Sequence, residues 1–273
     1  MDDILQDLSP TSLVNAIEEN LFSWIPLFGR IWEARVHDPP GVKRSISDIP
    51  LSLFNSIMDA QLEQEKVDST IQYIVSDARS RNVPLLWWVG PSTHPADLVK
   101  YLGKFGFAVD DASSGMAVAL EDLIESLPVP AGFSITHAQD DASWWEWCRT
   151  MMVGFEAPAA KVEFAVNSWH YLISRVNPVT TRAYIGWLNG KPVATSLLQL
   201  GGGVAGIYAV STIPEARRKG LGAQVTLYPL LQARALGYKA GILQASEMGF
   251  GVYRSLGFQE YCRINSYLWR PKT

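Results

Sequence analysis

The chain has 273 residues, 48% of them hydrophobic and 18% charged, and a formal net charge of −4. That balance supplies a sizeable core and excludes wholesale disorder, while its acidity argues against a nucleic-acid partner, which needs a basic face. Cys148 and Cys262 are the only cysteines, the four histidines are scattered, and no Cys-x-x-Cys or His-Glu-x-x-His occurs, so a metal site is not expected and the thiols read as free.

The amino terminus, Met1-Asp-Asp-Ile-Leu-Gln-Asp, lacks the basic-then-apolar order of a signal peptide, and no apolar run approaches membrane-spanning length. A cytoplasmic protein with no membrane partner is the expectation. Residues 11–23 are predicted as an amphipathic helix, with Leu13, Ile17 and Leu21 on one stripe and Glu18 and Glu19 opposite. Phe22 to Phe28 continues an apolar segment, Trp32 to Val36 alternates, and His37 to Gly41 is a turn by composition. Asp48 to Asn55 reads as a strand or loop edge, Val67 to Arg81 as a helix and Val83 to Val89 as an apolar strand. His94 to Lys104 reads as a short helix with Pro95 in its first turn, followed by Gly106-Phe107 and a strand over Gly115–Leu120.

Leu120 to Pro130 is the expected boundary between two halves, 1–125 and 131–273. Beyond it, Phe133–Ala138 is a predicted strand, Ser143–Met152 a tryptophan-rich helix, and Val162–Arg175 another helix. Tyr184–Trp187 and Pro192–Leu200 read as a hairpin joined through Asn189-Gly190, the favoured two-residue connection. Val204–Val210 reads as a buried strand, Leu221–Leu236 as a helix stopped by Gly237, Ala240–Ala245 as a strand, and Ile264–Trp269 as the closing strand. Pro229 inside the helix predicts a kink or break near 225–229.

The run between the Val204–Val210 strand and that helix carries the chemistry. It includes Arg217-Arg-Lys-Gly220-Leu-Gly222, a basic, glycine-bearing turn opening a helix. The first-turn N–H groups of a helix have no internal acceptors and its dipole is positive there. Two glycines let a ligand approach the backbone closely. Such a turn suits an anion, a pyrophosphate above all. It is neither a Walker A loop nor Gly-x-Gly-x-x-Gly.

The pattern Arg217-x-x-Gly220-x-Gly222 resembles the acetyl-coenzyme A signature of the GNAT (Gcn5-related N-acetyltransferase) family. Ser246, Tyr253 and Leu256-Gly257-Phe258 follow it at the spacing of that family's next strand and helix. A strand, turn, short helix, Gly-Phe and closing strand also occurs at 84–120, which suggests an internal duplication. Its first copy has Leu102 where the second has Tyr253 and contains no Arg-x-x-Gly-x-Gly. The resemblance implies an α/β fold, tandem GNAT-like halves each with a mostly antiparallel mixed sheet flanked by helices, the first half degenerate.

The same resemblance implies roles. Backbone groups of Tyr208, Ala209 and Val210 would pair with the pantetheine arm of acetyl-CoA. Arg217, Arg218, Lys219, Gly220, Leu221, Gly222 and Ala223 would hold the pyrophosphate, and Ser246 stands where the family often has an asparagine touching the cofactor. Tyr253 would be the general acid that reprotonates the thiolate. Phe155 and Glu156, in the segment joining two helices, are candidates for acceptor contact, beside Trp144, Trp145, Trp147 and Trp169, of which at least three read as core. The general base is unassigned, because Gly241 occupies one position where the family has a glutamate. Glu247, Glu156 or a water relay could serve.

Three readings follow: an acetyl-CoA-dependent N-acetyltransferase acting on a primary amine by direct attack, a silent acyl-CoA-binding sensor or scaffold, and a tRNA-dependent aminoacyl transferase, against which the acidic charge weighs. The acceptor, a small molecule or a peptide amine, is not identified by any motif, and a monomer or homodimer is compatible with duplication.

Overall fold

The structure is a computed structural model that describes residues 3–24 and 41–271. The predictions for Trp32–Val36 and His37–Asp38-Pro39-Pro40, and for the end of the Phe22–Phe28 segment, lie outside the described residues. The described chain forms two compact units. The larger comprises residues 3–20 and 116–261, and the smaller comprises 21–24, 41–115 and 262–271. Neither unit is continuous in sequence: the chain passes from one to the other within helix α1 (Pro10–Trp24), strand β4 (Ala108–Ala119) and strand β10 (Gln259–Trp269). The 120–130 stretch, expected as a boundary, lies inside the larger unit.

In the smaller unit β1 (Lys43–Ser45), β2 (Ser56–Met58), β3 (Leu85–Val89) and the end of β10 lie side by side in that order. The β2–β3 pair is parallel, while the flanking pairs are antiparallel, with Leu85–Val89 opposite Asn265–Trp269. Helix α2 (Val67–Ser80) buries Val67, Ile71, Ile74, Val75 and Ala78, a single stripe at 3.6-residue spacing. That stripe joins Ile57, Leu85, Trp87, Leu102, Phe107 and Tyr267 in one core. Helix α3 (Leu98–Lys104) begins later than its composition suggests. His94 is held in an extended conformation by hydrogen bonds to Ala60 and Leu62, and a residue preceding proline disfavours the helical region, so Pro95 precedes the helix instead of opening it.

The larger unit orders its strands β4-β9-β8-β7-β6-β5, with β5 (Phe133–Ala138), β6 (Thr181–Leu188), β7 (Lys191–Gly201), β8 (Val204–Thr212) and β9 (Ala240–Ala245). Pairs from β5 to β8 are antiparallel and β8–β9 is parallel. Asn189 and Gly190 take φ of 51° and 76°, the left-handed pair that a type I′ hairpin turn requires. Side chains alternate across β7. Leu198 and Leu200 pack with Leu227 and Leu230 of helix α6 (Leu221–Ala235). From the other face, Thr195 bonds Ser211, which abuts the last residue of helix α4 (Asp141–Gly154). Helix α5 (Ala159–Ile173) packs on α4, and α7 (Glu247–Ser255) follows β9. Helices therefore cover both faces of a mixed sheet.

Two expectations are revised. Glu18 is buried with Ala16, Ile17 and Asn20, so α1 is enclosed over more than the single apolar stripe, and only Glu19 of the acidic pair is exposed. Helix α6 also runs unbroken through Pro229. A proline cannot donate to the carbonyl four residues earlier, here Val225. Ser196 Oγ donates to that oxygen at 2.6 Å, replacing the missing donor from the sheet beneath. Ser196→Ala would strand a buried carbonyl, and we expect it to lower unfolding free energy by about 1–3 kcal/mol in chemical denaturation.

Candidate functional site

All the residues singled out for binding or catalysis fall in the larger unit. β8 and β9 pair only over Ala205–Ile207 and Gly241–Leu243, after which β8 continues to Thr212. Beyond Ile207 the β9-facing edge of β8 has no strand partner among the described residues. The opposite edge is irregular at the same place. Leu197 opposes Tyr208 and Thr195 opposes Ser211, so two residues of β8, Ala209 and Val210, face the single Ser196. This is a β-bulge, which turns main-chain groups out of the ladder. Ala209 adopts φ 48°, and its carbonyl is held by Thr195 Oγ1 at 2.9 Å. Tyr208, Ala209 and Val210 are half-buried, and a strand edge of this kind is where an extended chain can add.

The bulged strand leads through Ile213 and a short turn at Pro214–Ala216 into the amino end of α6. Gly220, with φ 76°, is its N-cap; no side chain caps the helix and its first turn holds no acidic residue. A Cβ at Gly220 would meet nothing within 4 Å, and one at Gly222 would meet only Thr212 Oγ1, at 3.8 Å. The first-turn amides are therefore approachable, and the helix dipole there is not compensated by a local carboxylate.

The three basic side chains divide. Arg218 and Lys219 are exposed, Lys219 folding back toward the Glu215 carbonyl at 3.3 Å. Arg217 instead points across the unit: its Nε donates to Thr212 O at 3.1 Å, and Nη2 to Gly154 O and Glu156 Oε2, each at 2.9 Å.

Beyond β9, Ser246 caps α7 by accepting from Gly249 N at 3.3 Å. Tyr253 lies one face of α7 inward, its ring over Gly249 and edge-on to Phe258 with centroids 6.1 Å apart. It is 8% exposed, and burial pushes its pKa up. The hydroxyl is therefore protonated, a donor, at every physiological pH. Gly241 offers no side chain for a base and is closely packed: a Cβ there would lie 2.6 Å from Leu230 Cδ2 and 3.1 Å from Leu120 Cδ2. Glu247 is exposed at the start of α7, and Glu156 is paired to Arg217.

Tyr208 was a backbone candidate only, yet its hydroxyl donates to Asn20 Oδ1 at 2.6 Å. Asn20 Nδ2 in turn reaches Gln199 O at 3.1 Å and Gly201 O at 2.8 Å, tying α1 to the β7–β8 hairpin. Its signal in the sequence was a polar residue in phase with Leu13, Ile17 and Leu21. Burial raises the pKa of Tyr208, of Tyr253 and of the Cys148 thiol. In the unfolded chain these groups ionise near their ordinary values, about 10 for tyrosine and about 8.5 for cysteine. The unfolded state then binds fewer protons than the native state, so stability present below pH 8.5 declines as pH rises through 9 to 11. Denaturation midpoints measured from pH 7 to 11 should fall monotonically.

The two candidates for acceptor contact, Phe155 and Glu156, directly follow α4, Phe155 54% exposed and Glu156 at φ 52°. Of the four tryptophans only Trp147 is fully buried, donating to Ser196 O at 3.0 Å. Trp144, Trp145 and Trp169 are half-buried, and Trp145 stacks on His170 at 3.9 Å. His170 also bonds Asp141 at 2.9 Å, a structural assignment for that histidine.

The smaller unit repeats the backbone but not the opening. Tyr253 O accepts from Leu256 N and Phe258 N, and Leu102 O accepts from Phe105 N and Phe107 N, with Gly257 and Gly106 both left-handed at φ 100° and 88°. Its parallel pair, β2–β3, stays closed by main chain: Gln61 bridges His94, and His94 N bonds Ala60 O at 2.8 Å. The helix after β2, α2, carries Asp68 in its first turn. Among the described residues, the β2–β3 pair therefore shows no gap, and α2 has a carboxylate in its first turn.

No family model and no curated protein matches the sequence. Solved structures do match the fold. A GCN5-related N-acetyltransferase from Kribbella flavida is 19% identical at a TM-score of 0.71, covering 93% of this chain and 96% of that one. One from Sphaerobacter thermophilus is 13% identical at 0.62, covering 97% and 95%. A tandem GNAT protein from the clavulanic acid biosynthesis pathway is 14% identical at 0.59, again covering 97% and 95%. No helix among the described residues is long and apolar enough to cross a membrane. No cluster of metal-ligating side chains occurs among them either.

Proposed function

From the tandem GNAT fold that this chain has, we propose that it is an N-acyltransferase which moves an acetyl group from acetyl-CoA to a primary amine by direct attack. The observation that carries this reading is the continuity of β8: its bulged stretch, which has no strand partner on the β9 side among the described residues, runs straight into the uncapped amino end of α6. An extended pantetheine and a diphosphate need those two features in that order. Pantetheine would pair with Tyr208, Ala209 and Val210, and the diphosphate would rest on the amides from Arg218 to Ala223.

In the reaction the amine nitrogen attacks the thioester carbonyl carbon, and the new oxyanion faces main-chain donors at the bulge. As the carbon–sulfur bond breaks, the Tyr253 hydroxyl would give its proton to the departing sulfur and regain one from solvent, which takes up the amine's surplus proton. Because Tyr253 keeps its proton well above neutrality, the amine's own deprotonation, not the acid, sets the pH dependence. No carboxylate stands at Gly241, so positioning of amine and thioester supplies much of the rate, for which effective molarities of about 10⁵ M and above are attainable.

The missing carboxylate also supports a second reading, a coenzyme A-binding sensor with no turnover. A panel of primary amines incubated with acetyl-CoA and followed by thiol release separates the two. Turnover with any amine supports the transferase, binding without turnover supports the sensor, and absence of coenzyme A binding in calorimetry overturns both.

A further inference from the structure

The geometry points to Arg217 as a positioning residue that links the cofactor loop to the carboxyl end of α4, so that filling the cofactor cradle fixes the acceptor-side loop. This rests on the function proposed above and deepens it. The backbone of Arg217 belongs to the loop that opens α6, while its guanidinium spans to the helix that ends at Gly154.

Gly154 O lies in the last turn of α4, where carbonyls have no intrahelical donor. Arg217 Nη2 supplies one at 2.9 Å, and a cation at a helix carboxyl end is favoured by the dipole. The same nitrogen pairs with Glu156 Oε2 at 2.9 Å, and Nε is occupied by Thr212 O at 3.1 Å. These contacts draw the guanidinium toward α4, so the side chain acts through Gly154 and Glu156. The contact is close: a Cβ at Gly154 would sit 2.4 Å from Ser211 Oγ and 3.1 Å from Thr212 N. The end of α4 therefore rests directly on the end of the bulged strand.

The cofactor loop, by contrast, holds two left-handed residues, Arg218 at φ 63° and Gly220 at φ 76°. A non-glycine residue in that region stores strain. Ligand bonds to the neighbouring amides stabilise this conformation over alternatives, and through Arg217 the ordering reaches residues 154–156. Coupling of that kind is reciprocal: an acceptor bound against Phe155 and Glu156 would tighten coenzyme A in turn.

The test compares the unaltered protein with Arg217→Met, which keeps the aliphatic stem and loses the donors, and Arg217→Lys, which restores one. Coenzyme A affinity by calorimetry should change by less than about threefold in Arg217→Met, since the diphosphate is held by amides and not by this side chain. Hydrogen exchange at the amides of residues 153–158 should slow on adding coenzyme A to the unaltered protein, by a factor within the roughly 5–150-fold range of allosteric coupling. That slowing should vanish in Arg217→Met and return in part in Arg217→Lys. Glu156→Gln, which leaves Arg217 and the fold in place, should weaken it.

A loss of affinity beyond about tenfold in Arg217→Met would make the arginine a phosphate ligand and overturn the inference. So would slowing that survives in both Arg217→Met and Glu156→Gln. Failure of the unaltered protein to bind coenzyme A is a different result, overturning the proposed function and this inference together.

Discussion

Gly222→Glu is expected to abolish coenzyme A binding while leaving the fold as stable as before or more so. Gly222 stands in the first turn of α6 with open space where a side chain would begin, the closest atom being Thr212 Oγ1 at 3.8 Å. Glycine inside a helix costs roughly 0.5–1 kcal/mol relative to alanine. A carboxylate in a first turn gains about 0.3–1 kcal/mol from the dipole. Both terms favour the variant's native state, since this turn has no acidic residue of its own. The same carboxylate would occupy the space of the diphosphate and repel it. A loss of about 100-fold in affinity, or some 2.7 kcal/mol, is the least we expect. Calorimetry gives the affinity and thermal melting the stability. Undiminished coenzyme A heat in a folded Gly222→Glu protein would remove the anion cradle from α6.

Tyr253→Phe is expected to lower kcat by about 10²–10⁴-fold, the usual contribution of a positioned proton donor. Coenzyme A affinity should be kept. The ring packs against Phe258 and over Gly249, contacts that phenylalanine preserves, and the hydroxyl makes no hydrogen bond among the described residues. Truncation of the oxygen therefore strands no partner, which makes the variant a clean probe of the chemical step. An unchanged rate in an active enzyme would assign the proton to water. A rate near zero in both proteins, with intact binding, would favour the sensor.

The two variants divide the proposed site into a binding half and a chemical half, and they bear on different pieces of sequence. The elements of the proposed binding half were legible in the chain. A strand, a basic glycine turn and a periodic helix occupy consecutive residues, and local rules suffice for each: apolar run, left-handed glycine, 3.6-residue stripe. Gly220 takes the left-handed φ, and the helix begins at Leu221, where the periodicity begins. The hairpin at Asn189-Gly190 was legible for the same reason, since both residues tolerate positive φ.

Other features were not. Nothing local distinguishes Arg217 from Arg218 and Lys219, yet only Arg217 turns toward α4, because Gly154 and Glu156 arrive there from some sixty residues away. Pro229 read as a helix breaker, and the correction came from Ser196, a strand residue whose hydroxyl meets the orphaned carbonyl. The polar amino-terminal part of β4, Ala108 to Ser113, carries no apolar pattern, and its extended form lies in main-chain pairing that side chains do not announce.

Periodicity and turn chemistry therefore determined most elements of the larger unit and the uncapped, glycine-bearing helix end, all of which depend on interactions within a few residues, and the α/β class came from the family resemblance those motifs carry. Tertiary structure alone decided that β8 and β9 part after three paired residues while β2 and β3 stay closed by His94. It also decided that Glu18 is enclosed and that Gly241 is packed against Leu230 and Leu120. Each of those outcomes depends on which distant backbone fills or vacates a space a few ångströms wide, and steric fit between remote segments leaves no periodic mark in a single sequence.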